Sequence, residues 1–393
     1  MMDIYVYYLI SFLIEDINSL LNENEINILM DMFDKWLKIE KNDYFDLEII
    51  DRVIYYKLKK MDSYSLNNVV IPLQLTQAQD VLSIKNQDKL KVANDIIKLS
   101  ENLPEQRSPE WFEMRKNAIS ASDIATAINE NPYEKRNKFI LYKAGVLVKE
   151  YKSNIYTEWG VKYEPIAQDI FKHCYNVELD EVSLIPHNTI SFLAASPDGI
   201  IRNKDNGYLI EIKCPYTREI KGNPPKYYWH QVQLQLEVCN LDYCFFYECS
   251  FMEYNNCNEY FEDSQSEDKD YISKDGYPKG MLIQYCEGDN LKVIYGNLHT
   301  NFKENVKILL NKSQNIKSCK IIFWKLKKFN INCISRDLEW MNKYFPMIEE
   351  TWNDVLKLRS NNNTDKNEAK NKLWENLNSY ELSNTEMCAF DDD

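Results

Sequence analysis

Histidine is scarce in this chain: four occur in 393 residues, at His173, His187, His230 and His299, so chemistry that needs several imidazoles fits poorly. Long apolar runs are missing too, and none approaches the roughly 18 residues that a membrane span needs. The most apolar stretch, MMDIYVYYLISFLIEDINSLL, is broken by Asp3, Glu15 and Asp16 and lacks both a basic n-region and a small-residue cleavage site. It reads as an amphipathic helix, and the expected location is cytoplasmic. No CxxC pair occurs among the ten cysteines. Cys239, Cys244 and Cys249 recur every fifth residue with Cys257 beyond them, a spacing that matches neither the zinc nor the ferredoxin pattern. They read as free thiols in a reducing compartment. No internal repeat and no glycine-rich phosphate loop is found.

What is present is a soluble globular composition, 44% hydrophobic and 27% charged, with 61 acids against 47 bases and a net charge of −14. That balance disfavours nucleic acid on average but leaves room for a local basic groove. The acids are concentrated, notably in EYFEDSQSEDKD and the terminal DDD.

Apolar residues at helical spacing predict an all-helical N-terminal unit over residues 1–102. Two prolines in LPEQRSPEW mark the entry to a second unit, 103–359, in which helices and strand-like stretches alternate. The pattern predicts an α/β core, a central mixed sheet flanked by helices, with an acidic surface insertion near 256–280 and a polar tail over 360–393.

The chemistry concentrates in SPDGIIRNKDNGYLIEIK, residues 196–213. Side chains alternate along a strand, so Glu211 and Lys213 share one face while Ile210 and Ile212 point to the core. A hairpin through RNKDNG can set Asp198, in its PDG turn, opposite Glu211. Converging carboxylates of that kind suit Mg2+ or Mn2+. Taken singly, PDG is a common turn and an ExK pair is most often a solvated ion pair.

Together, the D-x12-E-x-K pattern resembles the core of the PD-(D/E)XK nuclease superfamily. Five motifs stand in register between residues 111 and 238: WFEMRKNAISAS, WGVKYEPIA with Glu164, SPDG with Asp198, EIKCP with Glu211 and Lys213, and YYWHQVQLQLEV with Gln231. Their order resembles the lambda-exonuclease, or YqaJ-type viral recombinase, family. The C-terminal FWKLKKFNINCISRDLEWMNKYFPMIEETWNDVLKLR is similar to versions of that family in large DNA viruses. Residues 1–100 fall outside the resemblance.

The resemblance implies a restriction-endonuclease-like fold and a metal-dependent deoxyribonuclease, a 5′-to-3′ exonuclease that resects double-stranded DNA ends for recombination or repair. One or two Mg2+ or Mn2+ ions would be held by Asp198, Glu211 and the Ile212 carbonyl, with Glu164 completing the site. Lys213 would position or deprotonate the attacking water, and Gln231 would hold that water or Lys213. Arg115 and Ser122 match positions that bind a terminal 5′-phosphate; without the family, Arg115 reads as a surface residue and Ser122 as a helix cap paired with Asp123. Lys135, Arg136, Lys138 and Lys143 either line the DNA track or form a solvated helix face. His230, next to Gln231 on the helix, points elsewhere and has no role in this reading. The implied partners are DNA ends, a single-strand annealing or helicase protein, and further copies of the chain as a dimer or ring, acting in the host-cell cytoplasm or a viral factory. An endonuclease using the same site and a non-catalytic DNA-binding scaffold are the alternatives.

Overall fold

The computed structural model describes residues 78–360 apart from 149–153, 267–268, 289, 299, 314–315 and 317–318. Residues 1–77 of the expected helical unit, and all but Ser360 of the expected tail, lie outside the described residues.

Helix α1 (Gln87–Ser100) starts where the Asn86 side chain accepts from the Lys89 N–H, with Asp88 in its first turn and Lys98 in its last. Those charges complement the helix dipole. Helix α2 (Pro109–Lys116) is capped by Ser108 and has proline in its first turn, where a missing N–H costs nothing. Strand β1 (Ile119–Ser120), helix α3 (Ile124–Ala127), helix α4 (Arg136–Lys143) and the long helix α5 (Ile155–Tyr175) follow. Asn154 caps α5, and Asn176 ends it in a left-handed conformation at φ 49°.

Next come strands β2 (Glu178–Asp180), β3 (Ile185–Pro186), β4 (Leu193–Ala195), β5 (Gly199–Arg202) and β6 (Gly207–Lys213), then helix α6 (Lys226–Cys239) and β7 (Tyr243–Glu253). Helix α7 (Cys257–Glu262), β8 (Lys279–Glu287), β9 (Asn290–Tyr295), helix α8 (Phe302–Lys312), β10 (Lys320–Ser335) and helix α9 (Trp340–Ser360) complete the described chain. The strands form a seven-stranded sheet in the order β2-β5-β6-β7-β10-β8-β9 and a small sheet β1-β4-β3. In the large sheet β6 and β7 are parallel and the other neighbours antiparallel. The expected α/β core with a mixed central sheet is therefore the observed one.

Both faces of the sheet are covered, and the period-two alternation of the strands divides the core between them. Ile200, Leu209 and Phe246 pack with Ala93 and Ile96 of α1, Val232 and Leu236 of α6, and Trp340, Ile348 and Val355 of α9. Ile201, Tyr208, Ile210, Ile212, Phe245 and Tyr247 pack on the opposite side with Tyr163, Ile166, Ile170 and Phe171 of α5. Each Ile, Leu, Val or Phe side chain among them contributes about 1.5–3 kcal/mol by leaving water. Helix α1 lies in the range read as a separate N-terminal unit, yet its buried residues belong to the sheet's core. Gly207 permits the approach, because a Cβ there would meet the Ala93 Cβ and stand 2.9 Å from the Lys89 carbonyl oxygen.

The described cysteines are free thiols. Cys244 and Cys249, five apart on β7, fall in opposite core clusters and share no site. The acidic segment after β7 is held against the sheet: Lys325 of β10 meets Asp263 at 2.8 Å and Asp275 at 3.3 Å. Lys279, almost fully buried, donates to the Tyr260 carbonyl and to Ser264. Among the described residues no helix is long and apolar enough to cross a membrane.

Candidate active site

Strand β6 is buried over its whole length, and this changes the meaning of its charges. Glu211 and Lys213 are 1% and 4% exposed, on the face that α6 covers, with Lys213 Nζ 2.9 Å from Glu211 Oε1. The solvated ion pair is thus excluded. A buried carboxylate needs donors, and α6 supplies them: Gln231 Nε2 donates to Oε1 at 2.6 Å and Gln235 Nε2 to Oε2 at 2.5 Å. Glutamines four apart on a helix face the same way. Gln231 grips Glu211 here, in place of the expected Lys213 or water. Gln235 has no role in the sequence reading, and its four-residue spacing from Gln231 is the signal that points to it.

The hairpin forms as expected. Asn203 Oδ1 accepts from the N–H groups of Asp205 and Asn206, closing the turn between β5 and β6. The register pairs Gly199 with Ile210, so one step further sets Asp198 across from Glu211. Asp198 Oδ2 accepts from the Ile212 N–H at 2.6 Å, which fastens the turn to the strand. Burial pushes the Asp198 carboxyl well above the usual range, and the charges of Glu211 and Glu164 push the same way against Lys213 and the Ile212 N–H. Glu164 comes from α5, with Arg107 Nη2 4.0 Å from its Oε2.

Glu211 and Glu164 therefore both oppose a charge on Asp198, the condition a divalent cation relieves. Their oxygens and the Ile212 carbonyl are the hard donors that Mg2+ or Mn2+ prefers. The chemistry of the set fits, although among the described residues no three His, Cys, Asp or Glu side chains form a ready-made metal cage. Lys213 supplies the positive charge beside Glu211 Oε1 in this arrangement.

A second cluster lies at the start of the domain. Arg115 Nη2 donates to Ser122 Oγ at 2.7 Å and Ser120 Oγ at 3.2 Å, and its guanidinium lies 4.7 Å from the centre of the Trp111 ring. The structure thus joins Arg115 and Ser122. The cap is a different residue from the one expected: Ser120 forms the capping box with Asp123, which leaves the Ser122 hydroxyl for Arg115. Burial would raise the Asp123 carboxyl, but Lys143 at 2.8 Å and then Arg115 outweigh it and hold the group well below the carboxylate range. Burial in turn lowers Lys143, which also donates to the carbonyls of Arg115 and Ala118. Arg136 bonds Thr351 and Asp354 of α9. Lys143 and Arg136 are accordingly framework residues, a correction to their reading as either DNA track or solvated face. The small sheet joins the clusters. β1 pairs in parallel with β4, whose last residue, Ala195, lies three residues before Asp198.

His230 is buried, accepts at Nδ1 from Trp340 Nε1 at 3.0 Å, and is pushed down to about 4 by burial. It holds α9 to α6.

A family model described as the YqaJ-like viral recombinase domain matches residues 110–242. In this stretch the chain is similar to a YqaJ-like viral recombinase domain. The match takes in Arg115, Ser122, Glu164, Asp198, Glu211, Lys213 and Gln231. Similarity extends over 289 residues to an uncharacterized protein of Acanthamoeba polyphaga mimivirus, at 30% identity, covering 64% of this chain and 52% of that one. A protein of African swine fever virus is 27% identical over 168 residues, covering 36% of this chain and 48% of its own. The chain thus spans about half the length of the curated relatives it matches. Among solved structures, an alkaline exonuclease from Laribacter hongkongensis aligns at 19% identity with a TM-score of 0.40, covering 68% of this chain and 99% of that one.

Proposed function

We propose that the protein is a divalent-metal-dependent deoxyribonuclease whose reaction is hydrolysis of a phosphodiester bond at a DNA end, in the 5′-to-3′ direction. The observation that carries this reading is the buried Glu211, gripped by Lys213, Gln231 and Gln235 and faced by a destabilised Asp198. A protein has little structural reason to bury that set. The match to a YqaJ-like viral recombinase domain over 110–242 supports the same conclusion.

Asp198, Glu211 and the Ile212 carbonyl, with Glu164, would hold one or two Mg2+ or Mn2+ ions, which when bound polarise the phosphate and lower the pKa of water. Gln231 and Gln235 keep both Glu211 oxygens in place, so the carboxylate does not rotate when its surroundings change charge. Lys213 Nζ orients the attacking water, or takes its proton, and offsets charge that builds on the phosphate oxygens. Arg115 and Ser122 would receive the 5′-phosphate of the strand being digested, since a guanidinium with a neighbouring hydroxyl suits a terminal phosphate. The product is single-stranded DNA for recombination or repair. A single-strand annealing or helicase protein is the corresponding partner, and a dimer or ring the corresponding assembly. Host-cell cytoplasm or a viral factory is the site of action that this reading entails.

The test is digestion of a 5′-phosphorylated linear duplex with Mg2+. Wild-type protein should shorten it, EDTA should stop it, and Lys213→Ala should lower the rate by about a hundredfold or more, the usual scale for a lost acid–base group. An intact duplex with the wild-type protein would sink the proposal. Cleavage of closed circular DNA would replace the exonuclease by an endonuclease.

A further inference from the structure

The loop between β6 and α6 carries an arginine that the residues above do not use. Arg218 is 19% exposed at its side chain, and its Nη1 stands 2.8 Å from Oε1 of Glu248, which is 1% exposed. Glu248 is the β7 residue paired with Lys213, so the two side chains leave the sheet on the same face. Lys213 Nζ and the Arg218 guanidinium lie 4.9 Å and 5.7 Å from the centre of one ring, that of Tyr228. Arg218 is therefore a neighbour of Lys213 on the active face.

Its remaining donors are the decisive feature. Nε and Nη2 are buried and have no hydrogen-bond partner among the described residues. These two nitrogens form one edge of the guanidinium, whose parallel N–H groups match two oxygens of a phosphate or carboxylate. Glu248 holds Nη1 and leaves that edge free. The charge of Glu248, 2.8 Å from Nη1, holds that end of the guanidinium.

The loop is also anchored. Lys328 Nζ donates to the Ile220 carbonyl at 2.9 Å, while Asn330 and Asn332 donate to the Gly222 carbonyl at 2.8 and 2.7 Å. Gly222 has φ +91°, a conformation that favours glycine. Three side chains of β10 thus fix the loop, and an arginine on a fixed loop loses little freedom on binding.

We propose that Arg218 is a phosphate-binding residue of this site: its Nε–Nη2 edge takes two oxygens of one backbone phosphate of the strand lying against Lys213, with Glu248 as the positioning residue. The proposal rests on the nuclease reading above, which assigns Arg218 no part.

The test uses the full chain and short 5′-phosphorylated duplexes in which one phosphate at a time is replaced by a neutral methylphosphonate. Binding is measured in EDTA and cleavage in Mg2+. Arg218→Met alone would strand the buried Glu248, so the main variant is Arg218→Met with Glu248→Gln, which keeps the pair neutral. Wild-type protein should lose about tenfold or more in affinity at one linkage, the scale of a charged hydrogen bond. The double variant should show that loss on unmodified DNA and no further loss at that linkage. Its salt dependence should be shallower by about 0.9 in log–log slope, as for one phosphate contact. Arg218→Lys should keep the slope and lose the preference for that linkage. If the double variant binds unmodified DNA like the wild type, with the same slope, while the wild type still cleaves, Arg218 has no phosphate role and the nuclease reading stands. If the wild type neither binds nor cleaves, both are overturned.

Discussion

Glu211 has a donor or a cation on each carboxylate oxygen, and all of them are buried with it. Removing one donor leaves a charged oxygen unsatisfied, which costs more than the hydrogen bond itself is worth. Gln235→Leu should therefore lower the unfolding free energy by about 1–3 kcal/mol in urea titrations, and cleavage should fall with it as Glu211 gains freedom to turn. An unchanged midpoint would mean that Glu211 does not need its second glutamine. Asp198 presents the opposite case. Its ionised form is opposed by burial and by Glu211 and Glu164, so Asp198→Asn should raise the denaturation midpoint at neutral pH in EDTA while abolishing cleavage. The Asn oxygen can still accept from the Ile212 N–H. A lower midpoint would show that the repulsion is not felt. Function held against stability in this way is a common property of active sites.

At the scale of elements, α6 is the part on which the site depends, and its far end is tied down by charge. Glu237 meets Arg336, just after β10, at 2.6 Å, and His187, just after β3, stands 3.8 Å away. His187 Nδ1 accepts from the Thr189 and Ile190 N–H groups, so its proton sits on Nε2, towards Glu237. His187 and Arg336 together outweigh burial and bring the Glu237 carboxyl from 4.5 down to about 2. Of the two, Arg336 is within hydrogen-bond distance and is the firmer tie. A folded value below the unfolded one stabilises above pH 4.5, and that contribution is lost as pH falls towards about 2. The stability gap between wild type and Glu237→Gln should accordingly narrow as pH drops through this window in denaturant titrations. A gap that stays constant would place the stabilisation elsewhere.

For the whole molecule, net charge and function pull in different directions. The chain carries −14, and part of that negative charge is absorbed by Lys325 against Asp263 and Asp275 at the acidic insertion. Another part lies at Asp198, Glu211 and Glu164, where the proposed ion would sit. Mg2+ should raise the melting temperature of the wild-type protein, since a ligand held by the native state stabilises by RT ln(1 + [L]/Kd), about 2.7 kcal/mol at a hundredfold excess over Kd. Asp198→Asn should lose most of that shift. Equal shifts in the two proteins would move the ion to another place.

Alternation along GYLIEIK was enough to assign Glu211 and Lys213 to one face and Ile210 and Ile212 to the other, because strand geometry is local. The turn residues of RNKDNG likewise determined the hairpin that brings Asp198 opposite Glu211. The order of the motifs from Arg115 to Gln231 was legible in the same way, and the family match over 110–242 agrees with it. What the sequence alone left open was the environment. Whether Glu211 and Lys213 meet water depends on α6 docking over β6, and that docking is made by side chains far apart in the chain. Gln235 as a donor, Ser120 in place of Ser122 as the cap, and Arg218 held by Glu248 all follow from packing between distant elements. Local periodicity chose the faces; tertiary packing decided which of them were dry, and burial is what sets these three charges apart from ordinary surface ones.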